Sequence, residues 1–271
     1  MIVTLTEQEF HIIDSYVRTN FGLNLEKKQY LVECRIGAEL DKCGAKSFSE
    51  YWGMLRRDAT GRMEQGLMDC LTTQYTFFCR EEQHFDFISR ELAAKYDHSP
   101  SIWCAGCATG QESYTLAMQM AELRENGRLR YDYRIVATDV SKEAISAALT
   151  GIYRRDEYER LPERWRSRFC MLREDGGFIV TTRIRDTVRY LRHNLMEPWP
   201  GGNKFDIVFC RNVLIYFQEN ERAAVVANLV DAMKPGGYLL IGHTESLIGC
   251  GAKLEYIKPA VYRKPKAVIT C

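Results

Sequence analysis

The chain has 271 residues, of which 46% are hydrophobic and 27% are charged, as in ordinary globular proteins. Its 37 basic residues nearly balance its 36 acidic residues, which argues against a protein that mainly coats nucleic acid or an acidic membrane. No run reaches the roughly 18 apolar residues of a membrane-spanning helix, and we expect no secretory signal. The ten cysteines lack regular spacing and indicate reduced cytoplasmic thiols.

Residues 1–72 are predicted to form a small helical domain. Thr6 and Glu9 have the spacing of a capping box, and apolar residues then recur at helical intervals. A second helix is expected over 26–43. The segment 73–98 is predicted to be an ordered loop followed by a connecting helix.

From residue 99 to 271 the pattern changes to short apolar strands that alternate with helices, which is typical of βαβ units and a mostly parallel sheet. The expected fold class is therefore α/β. The predicted strands are 102–105, 133–138, 187–191, 205–210 and 238–241, and the predicted helices between them are 111–124, 142–149 and 219–233. Two further strands, 254–257 and 260–263, are expected to close the sheet as an antiparallel hairpin.

One stretch interrupts this alternation. Asp175, Gly176 and Gly177 lie between two apolar runs, which is a hairpin signal. We therefore predict a small antiparallel β insertion over about 164–183. Insertions on such scaffolds lie at the surface and often carry binding functions.

The first strand is followed by a glycine-bearing turn from Gly106 to Gly110. Small residues let a ligand approach the backbone, and the helix that follows offers free N–H groups. Asp139 ends the next strand, where a carboxylate can accept both hydrogen bonds of a ribose diol. The spacing Gly-x-Gly-x-x-Gly is absent, and Glu112 would repel a pyrophosphate but attract an ammonium group. The turn therefore favours S-adenosylmethionine (SAM) over a dinucleotide.

Cys104 and Cys107 form a Cys-x-x-Cys pair at this turn. A zinc site would need a second pair of ligands, and none lies at matching spacing. A redox pair is the other alternative. We interpret both thiols as packing residues and predict no metal site.

Several runs resemble the bacterial chemotaxis receptor methyltransferases, the CheR family. They occur in the family's order, at 72–76, 80–81, 84–85, 105–114, 205–217, 234–238 and 242–247. The run Phe-Asp-Ile-Val-Phe-Cys-Arg-Asn-Val-Leu-Ile-Tyr-Phe at 205–217 is the most diagnostic of them.

The resemblance implies a class I SAM-dependent methyltransferase with a Rossmann-like sheet, a small all-α N-terminal domain and an inserted β subdomain. The implied reaction converts glutamate side chains on the cytoplasmic helices of chemoreceptors to methyl esters and releases S-adenosylhomocysteine (SAH). We expect a cytoplasmic monomer that neither binds nucleic acid nor inserts into a membrane.

The resemblance also implies residue roles. Arg80 and Tyr216 fall on positions that orient the reacting groups, although a surface ion pair and core packing are the plainer alternatives. Together with Gly106 of the turn, the expected cofactor residues are Gln74, Thr76, Arg80, Glu112, Asp139, Asn194, Leu195, Arg211 and Asn212. Gln74 departs from the family's usual Asn, and Gln111 from its usual Glu.

Two surfaces are candidates for contact with a receptor. The predicted second helix carries Lys27, Lys28, Arg35 and Lys42, which form either a solvated face or a site for an acidic partner. By resemblance, the β insertion pairs in some family members with a receptor C-terminal peptide. Two other functions stay open: a SAM methyltransferase for a small molecule or nucleic acid, and a non-catalytic SAM-binding module.

Overall fold

The computed structural model describes residues 4–95 and 98–266. Its first domain contains the helices α1 (Glu7–Phe21), α2 (Gln29–Cys43), α3 (Phe48–Arg57) and α4 (Arg62–Leu71). The capping box is confirmed, because the Thr6 hydroxyl accepts from Glu9 N and the Glu9 carboxylate accepts from Thr6 N. The second helix begins at Gln29 rather than at residue 26, because the preceding residues form a turn against the second domain.

The helix α5 (Glu82–Lys95) leads into the second domain. In chain order, its elements are β1 (Ser101–Ala105), α6 (Gln111–Glu125), β2 (Arg134–Asp139), α7 (Lys142–Thr150), β3 (Ile152–Tyr153), α8 (Arg155–Arg160), α9 (Glu163–Phe169), β4 (Cys170–Leu172), β5 (Phe178–Val180), α10 (Thr182–Arg185), β6 (Val188–Arg192), β7 (Phe205–Cys210), α11 (Glu219–Asp231), β8 (Met233–Ile241), β9 (Glu255–Lys258) and β10 (Val261–Arg263). A short 3-10 helix, Leu214–Tyr216, follows β7.

Seven strands form one sheet in the order β6-β2-β1-β7-β8-β10-β9. The first five are parallel, whereas β10 is antiparallel to β8 and β9 is antiparallel to β10. The predicted α/β class with an antiparallel end is thus confirmed. All six residues of β7 are buried, as expected of a central parallel strand covered on both faces.

Two predicted boundaries were wrong at β8. The helix expected over 219–233 ends at Asp231, and β8 begins at Met233 instead of Tyr238. Met233 pairs with Phe205, and a register shift then accommodates the Pro-Gly-Gly sequence before Tyr238 pairs with Ile207. Sequence periodicity could not reveal this bulge, because it depends on pairing with a distant strand.

The β insertion is larger than predicted. The hairpin of β4 and β5 is present, but β3 also pairs with β5, so this second sheet has the order β3-β5-β4. Its first strand, Ile152–Tyr153, lies outside the expected bounds of 164–183. A two-residue strand carries no periodic signal, which is why it was missed.

The order of the parallel strands determines where a ligand site can form. The chain crosses from β1 to β2 on one side and returns to β7 on the other, so the carboxyl end of β1 is a topological switch point,. The loops after β1, β2, β7 and β8 meet at this edge. The helical domain covers it, because Asn24 N donates to Tyr216 O (2.9 Å) and Leu23 forms a β-bridge with Phe217. No helix in the described parts of the chain is long and apolar enough to cross a membrane.

Candidate cofactor site

A cavity of about 1200 Å³, its open mouth included, lies between the helical domain and the carboxyl edge of the sheet. Every residue that the sequence analysis assigned to the site lines this cavity. These residues are Gln74, Thr76, Arg80, Gly106, Glu112, Asp139, Asn194, Leu195, Arg211, Asn212 and Tyr216. The helical domain adds an apolar wall that includes Phe21, Leu23 and Leu25.

The glycine-bearing turn after β1 brings backbone close to the cavity. Gly106 has a φ of +80°, and a Cβ there would lie 2.5 Å from Val213 Cγ2 in the loop after β7. Gly106 N and Cys107 N both donate to Thr138 O, at 2.8 and 2.9 Å. The turn is thereby tied to β2 and packed against the β7 loop, so glycine is required for space as well as for backbone conformation.

Asp139 ends β2 and is buried. Its carboxylate accepts hydrogen bonds from Ala108 N and Ser141 N, each at 2.9 Å. Burial raises its pKa from 3.8, although these bonds and one from the Gln74 side chain oppose the rise. Gln74 lines the cavity, and its side-chain amide donates to Thr72 Oγ1 (3.1 Å). A buried carboxylate at this position is suited to accept hydrogen bonds from a ribose diol.

Arg211 joins two carboxylates beneath the cavity. Its side chain is 2% exposed, and its guanidinium lies 3.1 Å from Glu81 Oε2 and 3.1 Å from Glu112 Oε2. It also donates to Arg80 O. Burial raises the pKa of Glu81, but Arg211 and His243 together outweigh burial, and the net pKa falls below 4.5. At Glu112 burial dominates and the pKa is raised, so this carboxyl group would gain most from a cationic ligand.

Arg80 and Tyr216 lie at the mouth of the cavity. The Arg80 guanidinium lies over the rings of Tyr75 and Phe77, 5.6 Å from each centroid, and donates to Tyr75 O. The Tyr216 ring faces the ammonium of Lys28, 4.9 Å from its centroid. Burial raises the pKa of Tyr216, so its hydroxyl stays protonated. Among the described residues, Arg80 forms no ion pair, and Tyr216 is only partly buried, so neither plainer interpretation applies.

Asn194 connects the cavity to the helical domain. Its side chain donates to Asn20 O (2.8 Å) and accepts from Met196 N, whereas Leu195 is buried beside it. Gln111 points away from the cavity and donates to Glu157 Oε1 in α8 (2.9 Å). The departure at Gln111 therefore lies outside the cavity.

The Cys-x-x-Cys pair lies in the hydrophobic core. Cys104 and Cys107 are buried free thiols, and burial raises the pKa of both well above 9.0. A reactive thiol needs a lowered pKa and access to solvent. Both thiols pack in the hydrophobic core, as expected of packing residues.

A group of three side chains beside the cavity has donor atoms within 4.8 Å of one another: Glu81, His84 and His243. Its carboxylate is already paired with Arg211. Burial lowers the pKa of His84 to about 3, so this ring adds no positive charge beside Arg211. With its carboxylate paired, the group offers two histidine nitrogens, fewer than the three or four protein ligands of a zinc site.

Two carboxylates that hold other residues of the site in place were not predicted from the sequence. Glu81 holds Arg211, and Glu245 accepts from Asn212 N (2.8 Å) and Gly242 N (2.6 Å). Both lie within the runs that carried the family resemblance, at 80–81 and 242–247. Membership of these runs could have marked both residues as candidates for the site. Their positions in the sequence do not, however, show which residue each one pairs with.

The described residues fit SAM. Asp139 suits a ribose, Glu112 suits an ammonium, and the Gly106 turn allows close backbone approach. This is the site of a class I SAM-dependent methyltransferase.

Comparisons with known proteins agree with this class. The family model "CheR methyltransferase, all-alpha domain" matches residues 8–72, and "CheR methyltransferase, SAM binding domain" matches residues 74–262. The chain belongs to the CheR methyltransferase family and is a SAM-dependent methyltransferase.

Individual relatives cover almost the whole chain. It is 37% identical to a chemotaxis protein methyltransferase of Borreliella burgdorferi, over 97% of this chain and 96% of the relative. It is 33% identical to one of Vibrio anguillarum, over 97% and 99%. Among solved structures, the N-methyltransferase NodS of Bradyrhizobium japonicum, in complex with SAH, is 14% identical with a TM-score of 0.43, over 80% of this chain and 99% of that chain.

Proposed function

We propose that this enzyme transfers a methyl group from SAM to glutamate side chains of chemoreceptors and forms glutamyl methyl esters and SAH. The observation that carries the proposal is the cavity that holds every expected family residue beneath an entrance lined by Lys28, Arg80 and Tyr216. Relatives with 33–37% identity are named chemotaxis protein methyltransferases. The proposal places the enzyme in the cytoplasm, where the receptor helices it would modify lie.

The chemistry of a carboxylate acceptor matches the residues of the site. A glutamate side chain has a pKa of about 4.3 and is ionised near neutral pH, so no general base is needed to activate it. SAM, when bound, supplies an electrophilic methyl group on a sulfonium. The protein then has to align the two partners and exclude water, which is what positioned residues around a partly enclosed cavity do.

Each residue has a proposed role. Asp139 holds the ribose, and Glu112 holds the ammonium of the methionyl part. Arg80 steers the incoming carboxylate or holds the cofactor carboxylate, because its guanidinium is fixed by two rings at the entrance. The protonated hydroxyl of Tyr216 orients the reacting groups by hydrogen bonding.

The four basic residues at and before α2 favour an acidic substrate at the entrance. Two of them, however, already have partners within the protein. Arg35 is occupied, because its guanidinium donates to Leu71 O and Thr72 O. Lys42 pairs with Glu39 at 3.6 Å. Lys28 is therefore the basic residue that faces Tyr216 at the entrance, and we propose that it meets the acidic methylation region of the receptor.

We extend the proposal to a receptor tail peptide at the small sheet. Its edge strand β4 carries Met171 and Leu172, which are 55% and 54% exposed. An open edge with apolar side chains suits the addition of an extended peptide as a further strand. A peptide from a receptor C-terminus should bind in titration calorimetry and lose affinity in Met171→Asp.

The reaction is tested with methyl-labelled SAM and receptor-containing membranes, followed by alkali. Glutamyl esters release volatile labelled methanol, so we expect a volatile signal that depends on both enzyme and receptor. Membranes without receptors and the Asp139→Asn variant serve as controls. Alkali-stable label would indicate a different methyl acceptor, and SAM binding without transfer would indicate a docking module; either result would overturn the proposal.

A further inference from the structure

The loop after β8 contains a carboxylate with an unusual set of partners. The Glu245 side chain is partly buried and accepts from three backbone N–H groups, those of Gly242 (2.6 Å), Asn212 (2.8 Å) and Ile215 (3.2 Å). Two of these donors belong to a different loop, the one that follows β7. One side chain therefore joins the loops at the ends of two neighbouring strands.

The loop held by Glu245 needs this support. Asn212 has a φ of +58°, a left-handed conformation that residues other than glycine rarely adopt, although Asn tolerates it better than most. Ile215 lies in the single-turn 3-10 helix, whose first N–H groups have no partner inside the helix,. The carboxylate supplies the missing acceptors at both positions.

The close approach of the two loops supports the same conclusion. A Cβ at Gly242 would lie 2.5 Å from Asn212 Nδ2 and 2.8 Å from Glu245 Oε2. Glycine at 242 is therefore required for the carboxylate to reach Asn212 N. The geometry has no space for a side chain that would separate the loops.

The held loop forms much of the cavity. It presents Arg211, Asn212 and Tyr216 to the interior, and its Val213 packs on Gly106 of the cofactor turn. Glu245 itself does not line the cavity. Its effect on a bound ligand therefore passes through the backbone that it holds.

We propose that Glu245 is a positioning residue that fixes the Arg211–Tyr216 loop in the geometry required for SAM binding and methyl transfer. A carboxylate suits this task because both of its oxygens accept hydrogen bonds. An amide in its place offers one accepting oxygen and turns an NH₂ group toward N–H donors. The inference concerns the cofactor site of the proposed reaction, and its first readout is SAH binding, so a wrong assignment of the methyl acceptor would not affect that readout.

The test compares Glu245→Gln with Asp206→Asn. Asp206 is a buried carboxylate at the opposite end of β7, where it accepts from Ser101 N (2.8 Å) and Lys234 Nζ (2.8 Å). Both variants remove a carboxylate that accepts hydrogen bonds from backbone N–H groups, so both are expected to lower the melting temperature. Only Glu245→Gln should weaken SAH binding, about tenfold in titration calorimetry, whereas Asp206→Asn should stay within about twofold of wild type.

In steady-state methyl transfer, Glu245→Gln should lower kcat by about 100-fold, more than it raises KM for SAM, because misplacement of the reacting groups affects the chemical step most. Glu245→Asp keeps both oxygens on a shorter side chain and should bind SAH with intermediate affinity; it carries the test if Glu245→Gln does not fold. Wild-type SAH affinity in the folded Glu245 variant, or an equal loss of affinity in Asp206→Asn, would overturn the inference.

Discussion

The two walls of the cavity are built differently. The sheet wall, at the ends of the parallel strands, contains buried charged groups that are held by backbone N–H groups or by one another, as Asp139 and Arg211 show. The helical wall is mostly apolar and touches the entrance through Asn24 and Lys28. We infer that the sheet wall determines cofactor affinity and that the helical wall determines access of the methyl acceptor. Variants on each wall should therefore change different quantities.

The largest effect is expected at Arg211. Arg211→Met leaves Glu81 and Glu112 without their buried partner, which should lower the free energy of unfolding by about 3 to 5 kcal/mol and abolish SAH binding. Arg263→Met breaks an exposed pair with Glu255 and should cost less than about 1 kcal/mol. Urea unfolding measures the loss in the free energy of unfolding for both variants. Equal losses would contradict the central role of Arg211 in the sheet wall.

Asp139 should matter for affinity more than for folding. Asp139→Ala removes the carboxylate that we propose holds the ribose, so we expect SAH affinity to fall about 10- to 100-fold in titration calorimetry. Asp139→Asn keeps the shape of the side chain and loses its charge, so its SAH affinity should lie between those of wild type and Asp139→Ala. Unchanged affinity in Asp139→Ala would rule out the assigned contact with the ribose.

The pH dependence of SAH binding should reflect the protonation of the Glu112 carboxylate. Burial raises the folded pKa of Glu112 above 4.5 and that of Asp139 above 3.8. Protonation removes the negative charge, so affinity should be lost as the pH falls through these raised values, and the loss should begin at a higher pH than for ordinary carboxyl groups. Glu112→Gln should bind more weakly at neutral pH and show a flatter acid limb. An acid limb identical to that of wild type would exclude Glu112 as its source.

The contact between the walls can be weakened at Gly22. Gly22 and Gly44 end successive helices at φ values of +72° and +75°, but a Cβ at Gly22 would lie 2.5 Å from Met196 Sδ, whereas nothing lies within 4 Å at Gly44. Gly44→Ala should cost about 1 to 2 kcal/mol for the backbone conformation alone. Gly22→Ala should cost about 1 to 3 kcal/mol more, because the added carbon is overpacked. If urea unfolding finds equal losses, the two walls are not tightly joined there.

The smallest effect is expected at Lys28 on the helical wall. Lys28→Met removes the cation over Tyr216 and should lower kcat/KM for the receptor by about 2- to 5-fold, with SAH affinity unchanged. Lys27→Met, one residue away and exposed, is the matched control for charge. A fall in SAH affinity instead would show that the helical wall contributes to cofactor binding.

The sequence by itself determined the elements and residues whose signal is local. Alternating strands and helices predicted the α/β class, and Thr6 and Glu9 predicted the start of α1. The glycine-bearing turn, the end of β2 and the family resemblance together supplied eleven of the residues that line the cavity. These features depend on periodicity, on turn chemistry or on residue order, each of which can be read from neighbouring positions.

Only the tertiary structure decided which distant groups meet. Glu81 and Glu245 acquire their partners at Arg211 and Asn212 because loops from different parts of the chain converge at one edge of the sheet. The helical wall forms because the turn before α2 docks on Tyr216. The strand β3 exists because β5 lies beside it. Such contacts join residues far apart in the chain, and no local pattern encodes them, because their free energy arises only when the surfaces pack.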